Sequence, residues 1–493
     1  MKRRSLLSVV GLMCSVSFLT ACGKNFYFAG RSLPPSGVLN RVIVAVQNPS
    51  ALAKGSLLFD DALYDIRHAF NNVNQTFSIS GFSGALPVTI QNMPEQQVGA
   101  VFSIGDGSLT TVSYASEKVQ STTAAGNLNG VSQSIFISRD LNYIYAASQS
   151  AHSLTVVDHG ATYTLNVPGV YRVSMNPGNT VALAFVQNTD DVYSIVHLNS
   201  DQQQQAINNP HWNPGLTNPQ LQNTQPAQDC EPQNLPVYCV FPVSSAANAG
   251  TITNPSSTPT ATFDRPVKAV FSSDGSTAYV LNCGPECGGT ASGITTLPIT
   301  GASLNPSGIG ASGIALVAAS NIAVPGGATN GLFSGSTFYV AGQQLQSDGL
   351  LAGNLSIVNT TTGQVTGQYS ISDGTHNKMA LADNDTLWIG SYQCQSGERY
   401  KLSQSTAPGT PFGCITMFNT SNNSVLVESF KGDGTGIAAV TGLNKVYTAE
   451  GGQVYIYNTP DGSARDNTNV TVTGTAYDVA YMDAASDGDN TTY

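Results

Sequence analysis

Charge is scarce in this 493-residue chain. Only 10% of its residues are Asp, Glu, Lys or Arg, against about 25% in an average domain. Basic residues are the rarer kind, 19 against 30 acidic ones, and the formal net charge is −11. No basic patch is present, which excludes nucleic acid as an expected partner. An acidic surface also disfavours lying flat on anionic lipid. Long apolar runs are missing too: the run from Leu6 to Leu19 falls short of the about 20 residues that a membrane-spanning helix needs. Lys and Glu are few while Gly, Ser, Thr and Asn abound, a composition poor for helices and suited to short strands joined by turns.

Familiar catalytic patterns are absent as well. The six histidines, His68, His152, His159, His197, His211 and His376, form no H-x-H or H-E-x-x-H pair. No G-x-S-x-G nucleophile elbow occurs. The stretch GIGASG, Gly308 to Gly313, matches a dinucleotide fingerprint in letters, but no βαβ pattern surrounds it, so it reads as a loop. DAASDGDN, residues 483–490, lacks the spacing and closing Glu of a calcium loop and reads as a solvated acidic tail, with 486–493 a polar end to the chain. No metal, cofactor or catalytic residue is therefore expected. The 20 Tyr and 18 Phe residues recur in strand-like segments, where core packing accounts for them. Trp212, in a polar insertion, is a candidate anchor for sugar or protein.

What is present begins at the N-terminus. Lys2, Arg3 and Arg4 precede the short apolar run, the order of a secretory signal. The run ends Leu19-Thr20-Ala21-Cys22, which resembles the lipobox of bacterial lipoproteins. That resemblance implies removal of residues 1–21, a diacylglycerol on the Cys22 sulfur, and a mature net charge of about −14. The rival reading is a plain signal with a chance cysteine. Two or three acyl chains, at about 0.8 kcal/mol per buried CH₂, anchor a protein stably. Residues 22–37, rich in Gly, Pro and Ser, read as a flexible tether. The expected location is the bacterial cell envelope, at the periplasmic face of the outer membrane or the outer surface, with the lipid as the one membrane contact.

Eight cysteines are present. Cys14 leaves with the signal and Cys22 takes lipid. The other six fall into sequence-local pairs, and an even remainder in an exported chain reads as disulfides. The expected bridges are Cys230–Cys239, Cys283–Cys287 and Cys394–Cys414. A metal site is the weaker alternative, since no C-x₂-C is present and no histidine flanks the pairs at zinc spacing.

One phrase recurs along the chain: a few apolar or small residues, a Gly/Asp/Asn turn, then an alternating apolar strand. Its clearest copy is KAVFSSDGSTAYVLN, residues 268–282. Other copies start at Ser134, Tyr171, Gly331, Lys378 and Gly436, and each reads as a hairpin. A second hairpin tends to follow, as in SLTVVDHGATYTLNV from Ser153. About four strands per 40–60 residues is the spacing of propeller blades, unlike a sandwich or a β-helix. The copies resemble YVTN-type β-propeller repeats, through Asp274, Gly275, Tyr279, Val280 and Asn282 in one hairpin and Thr155, Val156, Val157 and Asp158 in another.

That resemblance implies an all-β fold, a single β-propeller of four-stranded blades over residues 38–485. Residues 476–485 look like an inner strand without followers and residues 40–48 like a follower without its inner strand. Pairing them closes the ring and removes a free edge. The count is eight blades if residues 84–126 form a full blade and seven if they do not.

Two loops stand out. Cys394 and Cys414 would pin the base of a loop carrying Arg399, Tyr400 and Lys401, the candidate binding residues together with Trp212. If this loop and the 283–287 loop both join second to third strands, they share a face. Residues 201–262 form a Gln/Asn/Pro-rich insertion whose face depends on the rank of the strand VYCVFPV. The function these features suggest is a monomeric, lipid-anchored, non-catalytic envelope propeller that binds a protein or glycan. The alternative, implied by the resemblance, is a lactonase-like hydrolase acting at the central channel.

Overall fold

A computed structural model describes residues 33–484 except 70–71, 94–95, 124–127, 129, 131–133, 139, 177–180, 199, 201–202, 205–206, 208–229, 233–236, 244, 249–259 and 300–315. Cys22, Trp212, the loop at 308–313, residues 485–493 and most of the 201–262 insertion therefore lie outside the described residues. Asp483, which opens the stretch read as a solvated acidic tail, is instead buried and accepts from Arg41, because it sits where the ring closes.

The chain forms a β-propeller of eight blades. Blades 2 to 8 open, in chain order, on the inner strands Pro87–Met93, Ile135–Ile137, Val170–Met175, Pro266–Phe271, Asn330–Ser334, Thr375–Ala382 and Gly434–Val440. Each continues outward as antiparallel strands in chain order, except that in blade 4 Cys230–Glu231 pairs outside Tyr238–Pro242, which follows it in the chain. Within 84–126, the four strands between Pro87 and Thr122 form a full blade, the second, which decides for eight. All six copies of the recurring phrase prove to be the hairpin joining an inner strand to the second strand of its blade.

The ring closes as the terminal strands suggested. In blade 1 the inner strand Thr475–Tyr481 pairs with Arg41–Gln47, which pairs with Gly55–Asp61. The fourth position there is irregular, held by Ile79 N–H donating to Leu57 O and a bridge between Leu58 and Ser78. Blade 8 likewise has three regular strands, and Ala464 bridges to Tyr457 at its edge.

Burial follows radial position. Second strands such as Val98–Ser103 and Lys445–Glu450 are buried at every residue, because neighbouring blades cover both their faces. Outer strands such as Lys118–Thr122 are largely exposed. The core consequently lies between blades. Trp388 of blade 7, fully buried, meets Tyr457 of blade 8 at 5.5 Å between ring centroids. Its indole N–H donates to Thr386 Oγ1 at 3.1 Å.

The repeat's marker residues have local reasons. Gly275 holds φ at 68° in the hairpin turn, where Asp274 Oδ1 accepts from Ser276 N–H at 3.0 Å. Asn282 ends the second strand and ties two neighbours: its Oδ1 accepts from Asp264 N–H at 3.1 Å and its Nδ2 donates to Thr295 Oγ1 at 2.8 Å.

Candidate binding face and central cavity

In a four-stranded meander, the connections between second and third strands emerge at the same end as those leading to the next blade. Cys283–Cys287 lies between Thr277–Asn282 and Gly293–Pro298, and Cys394–Cys414 lies between Thr386–Tyr392 and Ile415–Asn419. Both disulfides therefore sit on one face, in blades 5 and 7. VYCVFPV contains the fourth strand of blade 4, Tyr238–Pro242, paired with Val192–His197. Residues 198–237 thus join the third strand to the fourth, and the strand ends they join, His197 and Tyr238, lie at the opposite face. Cys239 is disulfide-bonded, and the backbone sets Cys230 opposite it in register. The bridges mark an oxidising, exported environment. No helix among the described residues is long and apolar enough to cross a membrane.

The residues picked from the 394–414 loop divide into braces and surface. Arg399 turns inward: its Nε donates to Ile371 O at 2.7 Å and an Nη donates to Ser370 O at 2.8 Å. Its backbone N–H donates to Asp373 Oδ2 at 2.7 Å. Lys401 pairs with Asp348, at the tip of the extended hairpin of blade 6. Tyr400 remains exposed, edge-on to Phe412 at 5.1 Å, and Phe412 stacks on Phe430 at 5.5 Å. Phe430 belongs to the connection from blade 7 to blade 8. An aromatic row thus crosses two connections of this face.

At the centre of the same face lies a cavity of about 550 Å³, bordered by Glu286 and Cys287 of blade 5, Leu351 of blade 6 and Gln393 and Ser396 of blade 7. A second cavity of about 530 Å³ continues into the channel and shares Tyr171, Arg172, Val267, Thr329 and Thr375 with the first. Volumes of about 300–1,000 Å³ are typical of small-molecule sites.

The channel lining has a repeated cause. In blades 2, 4, 5, 7 and 8 the inner strand slips register by one residue at the same place, after Pro87, Val170, Pro266, His376 and Gly434. Blade 1 does so between Ala476 and Asp478. Such bulges re-aim side chains. The residues that follow the slip are Thr89, Arg172, Lys268, Lys378, Gly436 and Asp478, one equivalent position around the ring. A Cβ on Gly436 would come within 2.8 Å of Asp478 Oδ1. The glycine leaves the gap through which Lys378 of blade 7 reaches Asp478 of blade 1, at 3.1 Å.

Lys268 Nζ donates to Asn330 Oδ1 at 2.8 Å. It lies deep within the ring while still touching channel solvent, and desolvation, with Arg172 and Lys378 nearby, pulls its pKa down to about 7. Burial raises the Glu286 carboxyl, against hydrogen bonds from Gln343 N–H and Nε2, both at 2.9 Å. Burial also raises Asp478, against the Lys378 charge. His376 is buried, and desolvation lowers its pKa to about 4, so the imidazole is neutral near pH 7 and its Nε2–H donates to Ser372 O at 3.0 Å. No group of three His, Cys, Asp or Glu among the described residues is placed to hold a metal.

Sequence reading missed these channel residues. A signal existed: three copies of the recurring phrase carry Arg172, Lys268 or Lys378 directly ahead of the residues that lead into the hairpin turn.

No protein-family model matches the chain, and no curated protein matches its sequence. Solved structures do resemble it. Dihydro-haem d1 dehydrogenase NirN, in complex with DHE, aligns over 91% of this chain and 79% of its own, with 10% identity and a TM-score of 0.53. AztD from Citrobacter koseri aligns over 89% of this chain and 97% of its own, at 10% identity and a TM-score of 0.43. A putative 6-phosphogluconolactonase from Bacteroides fragilis aligns over 89% and 97%, at 12% identity and a TM-score of 0.39. At such identities the NirN likeness bears on the β-propeller fold alone.

Proposed function

We propose that the protein is a lipid-anchored, non-catalytic propeller of the bacterial cell envelope that binds a protein or glycan through the face bearing Cys283–Cys287 and Cys394–Cys414. The observation that carries this reading is the aromatic row of Tyr400, Phe412 and Phe430, exposed at Tyr400 and Phe430 with Phe412 half-buried between them, and held in place by a disulfide, the Arg399 bonds and the Lys401–Asp348 pair. Rigid aromatics offer large contact area at low entropic cost, which suits recognition. His376, neutral and hydrogen-bonded to a backbone carbonyl, has no carboxylate beside it among the described residues. That arrangement does not favour a hydrolase at the channel.

Cross-linking of native cells followed by mild-detergent extraction tests the binding role. A near-stoichiometric envelope protein or glycan should co-purify and be lost in Tyr400→Ser/Phe430→Ser. A clean monomer would sink the reading. Anchoring has its own test. Cys22→Ala should move the protein from the membrane fraction to the soluble one, and continued sedimentation with membranes would remove the lipid from the account.

A further inference from the structure

We propose that the central cavity is a binding site for a small organic anion bearing carboxylate or phosphate groups, held chiefly by Arg172 and Lys268. This goes beyond the macromolecular partner assigned to the aromatic row. The two cavities that meet at Arg172 are lined by four cations, Arg172, Arg265, Lys268 and Lys378, and by one carboxylate, Glu286. In a chain whose formal net charge is −11, this reverses the sign of the surface at the centre of the ring.

The counter-charges are already engaged. Glu286 accepts both Gln343 donors and shares only a through-space attraction with Arg172, Asp478 holds Lys378, and Arg265 donates to Asn188 O beside Asp190. Lys268 has a neutral amide as its partner. Arg172 lies 5.4 Å from the Tyr171 ring and has no hydrogen-bond acceptor among the described residues. Its planar fork of donors suits a carboxylate or phosphate in bidentate fashion. Three cations occupy one equivalent bulge position around a narrow channel, so they point inward together and repel one another. An anion placed between them relieves that repulsion. Thr329, Thr375 and Asn330 supply neutral polar contacts for the rest of such a molecule.

Isothermal titration calorimetry of the full-length protein, below pH 7 so that Lys268 keeps its proton, tests this with citrate, inorganic phosphate and uncharged glucose as probes. The expected result is one saturable site per chain for citrate, phosphate or both, and none for glucose. Citrate alone would assign carboxylate chemistry and phosphate alone phosphate chemistry. Arg172→Gln and Lys268→Met should each weaken binding at least about tenfold, while Lys118→Gln, on an exposed outer strand, should not. No saturable heat up to about 10 mM of either anion, or binding that both channel variants leave unchanged, overturns the proposal.

Lys268→Met decides the matter if Arg172→Gln does not fold. Protection of Lys268 by citrate against acetylation, read by mass spectrometry on the unaltered sequence, needs no variant. Loss of the macromolecular partner in the aromatic variant with anion binding intact would separate the two sites.

Discussion

At the residue scale, Lys268 sets stability against binding. A lysine in an unfolded chain keeps its proton to about pH 10.4, whereas in the folded ring Lys268 gives it up near 7. The groups facing it are Arg172 and Lys378, Asn330 as its hydrogen-bond partner, and Asp478 behind Lys378. Below pH 7 the folded state bears the full cost of holding this charge. Between about 7 and 10 the unfolded chain binds more protons, so this group's contribution to stability becomes more favourable as pH rises. Lys268→Met should therefore raise the thermal midpoint at pH 6, and the gap from the native protein should narrow towards pH 10. An unchanged midpoint at pH 6 would show that the channel's water already solvates the ammonium. A residue that costs stability at the centre of a rigid ring is the pattern expected of a binding group.

At the element scale, the hairpins were legible in the sequence because strand, turn and strand are local chemistry. KAVFSSDGSTAYVLN carries its own turn, with Gly275 at positive φ and Asp274 capping it. The shared place of Arg172, Lys268 and Lys378 in the phrase was legible, but not their convergence: they are about a hundred residues apart in the chain and become neighbours only when bulges in three blades face one axis. The aromatic row was half legible. Tyr400 stood in a loop marked by two cysteines, but its partners Phe412 and Phe430 come from either side of a strand pair. Arg399 and Lys401 looked like binding groups and are in fact occupied by the loop's own bracing. Closing a loop of this length raises the free energy of the unfolded chain by about 3 kcal/mol through lost entropy, while Arg399 and Lys401 tie the same loop through bonds separate from the bridge. Cys394→Ser/Cys414→Ser should thus keep the fold, with faster amide exchange confined to residues 395–413 by mass spectrometry. Unchanged exchange would mean that Arg399 and Lys401 alone fix the loop.

At the scale of the whole molecule, closure raises a problem that the other blades do not have. Seven blades join inner to second strand by a covalent hairpin; blade 1 has the two ends of the described chain there instead. Arg41 supplies the missing link. Its backbone N–H donates to Asp483 Oδ2 at 2.6 Å, its Nη2 to Asp483 Oδ1 at 2.7 Å, and Met482 N–H donates to Arg41 O at 2.9 Å. Its Nη1 meanwhile donates to Glu117 Oε1 and Tyr114 O of blade 2, both at 2.8 Å. The side chain is fully buried, so added salt screens it little. Removing one member of a buried ion network leaves the others uncompensated, at a cost of about 3–5 kcal/mol. Arg41→Met should lower the unfolding free energy by that amount in guanidinium titrations. Asp483→Leu should do similarly, and the double variant should lose less than the sum, since it leaves fewer orphaned charges. Glu117 retains Ser36, which donates to it through N–H at 2.9 Å and Oγ at 2.6 Å. A native midpoint in Arg41→Met would mean that the pairing of 42–47 with 475–481 closes the ring unaided, and that the buried clasp selects the register of closure without contributing to its strength.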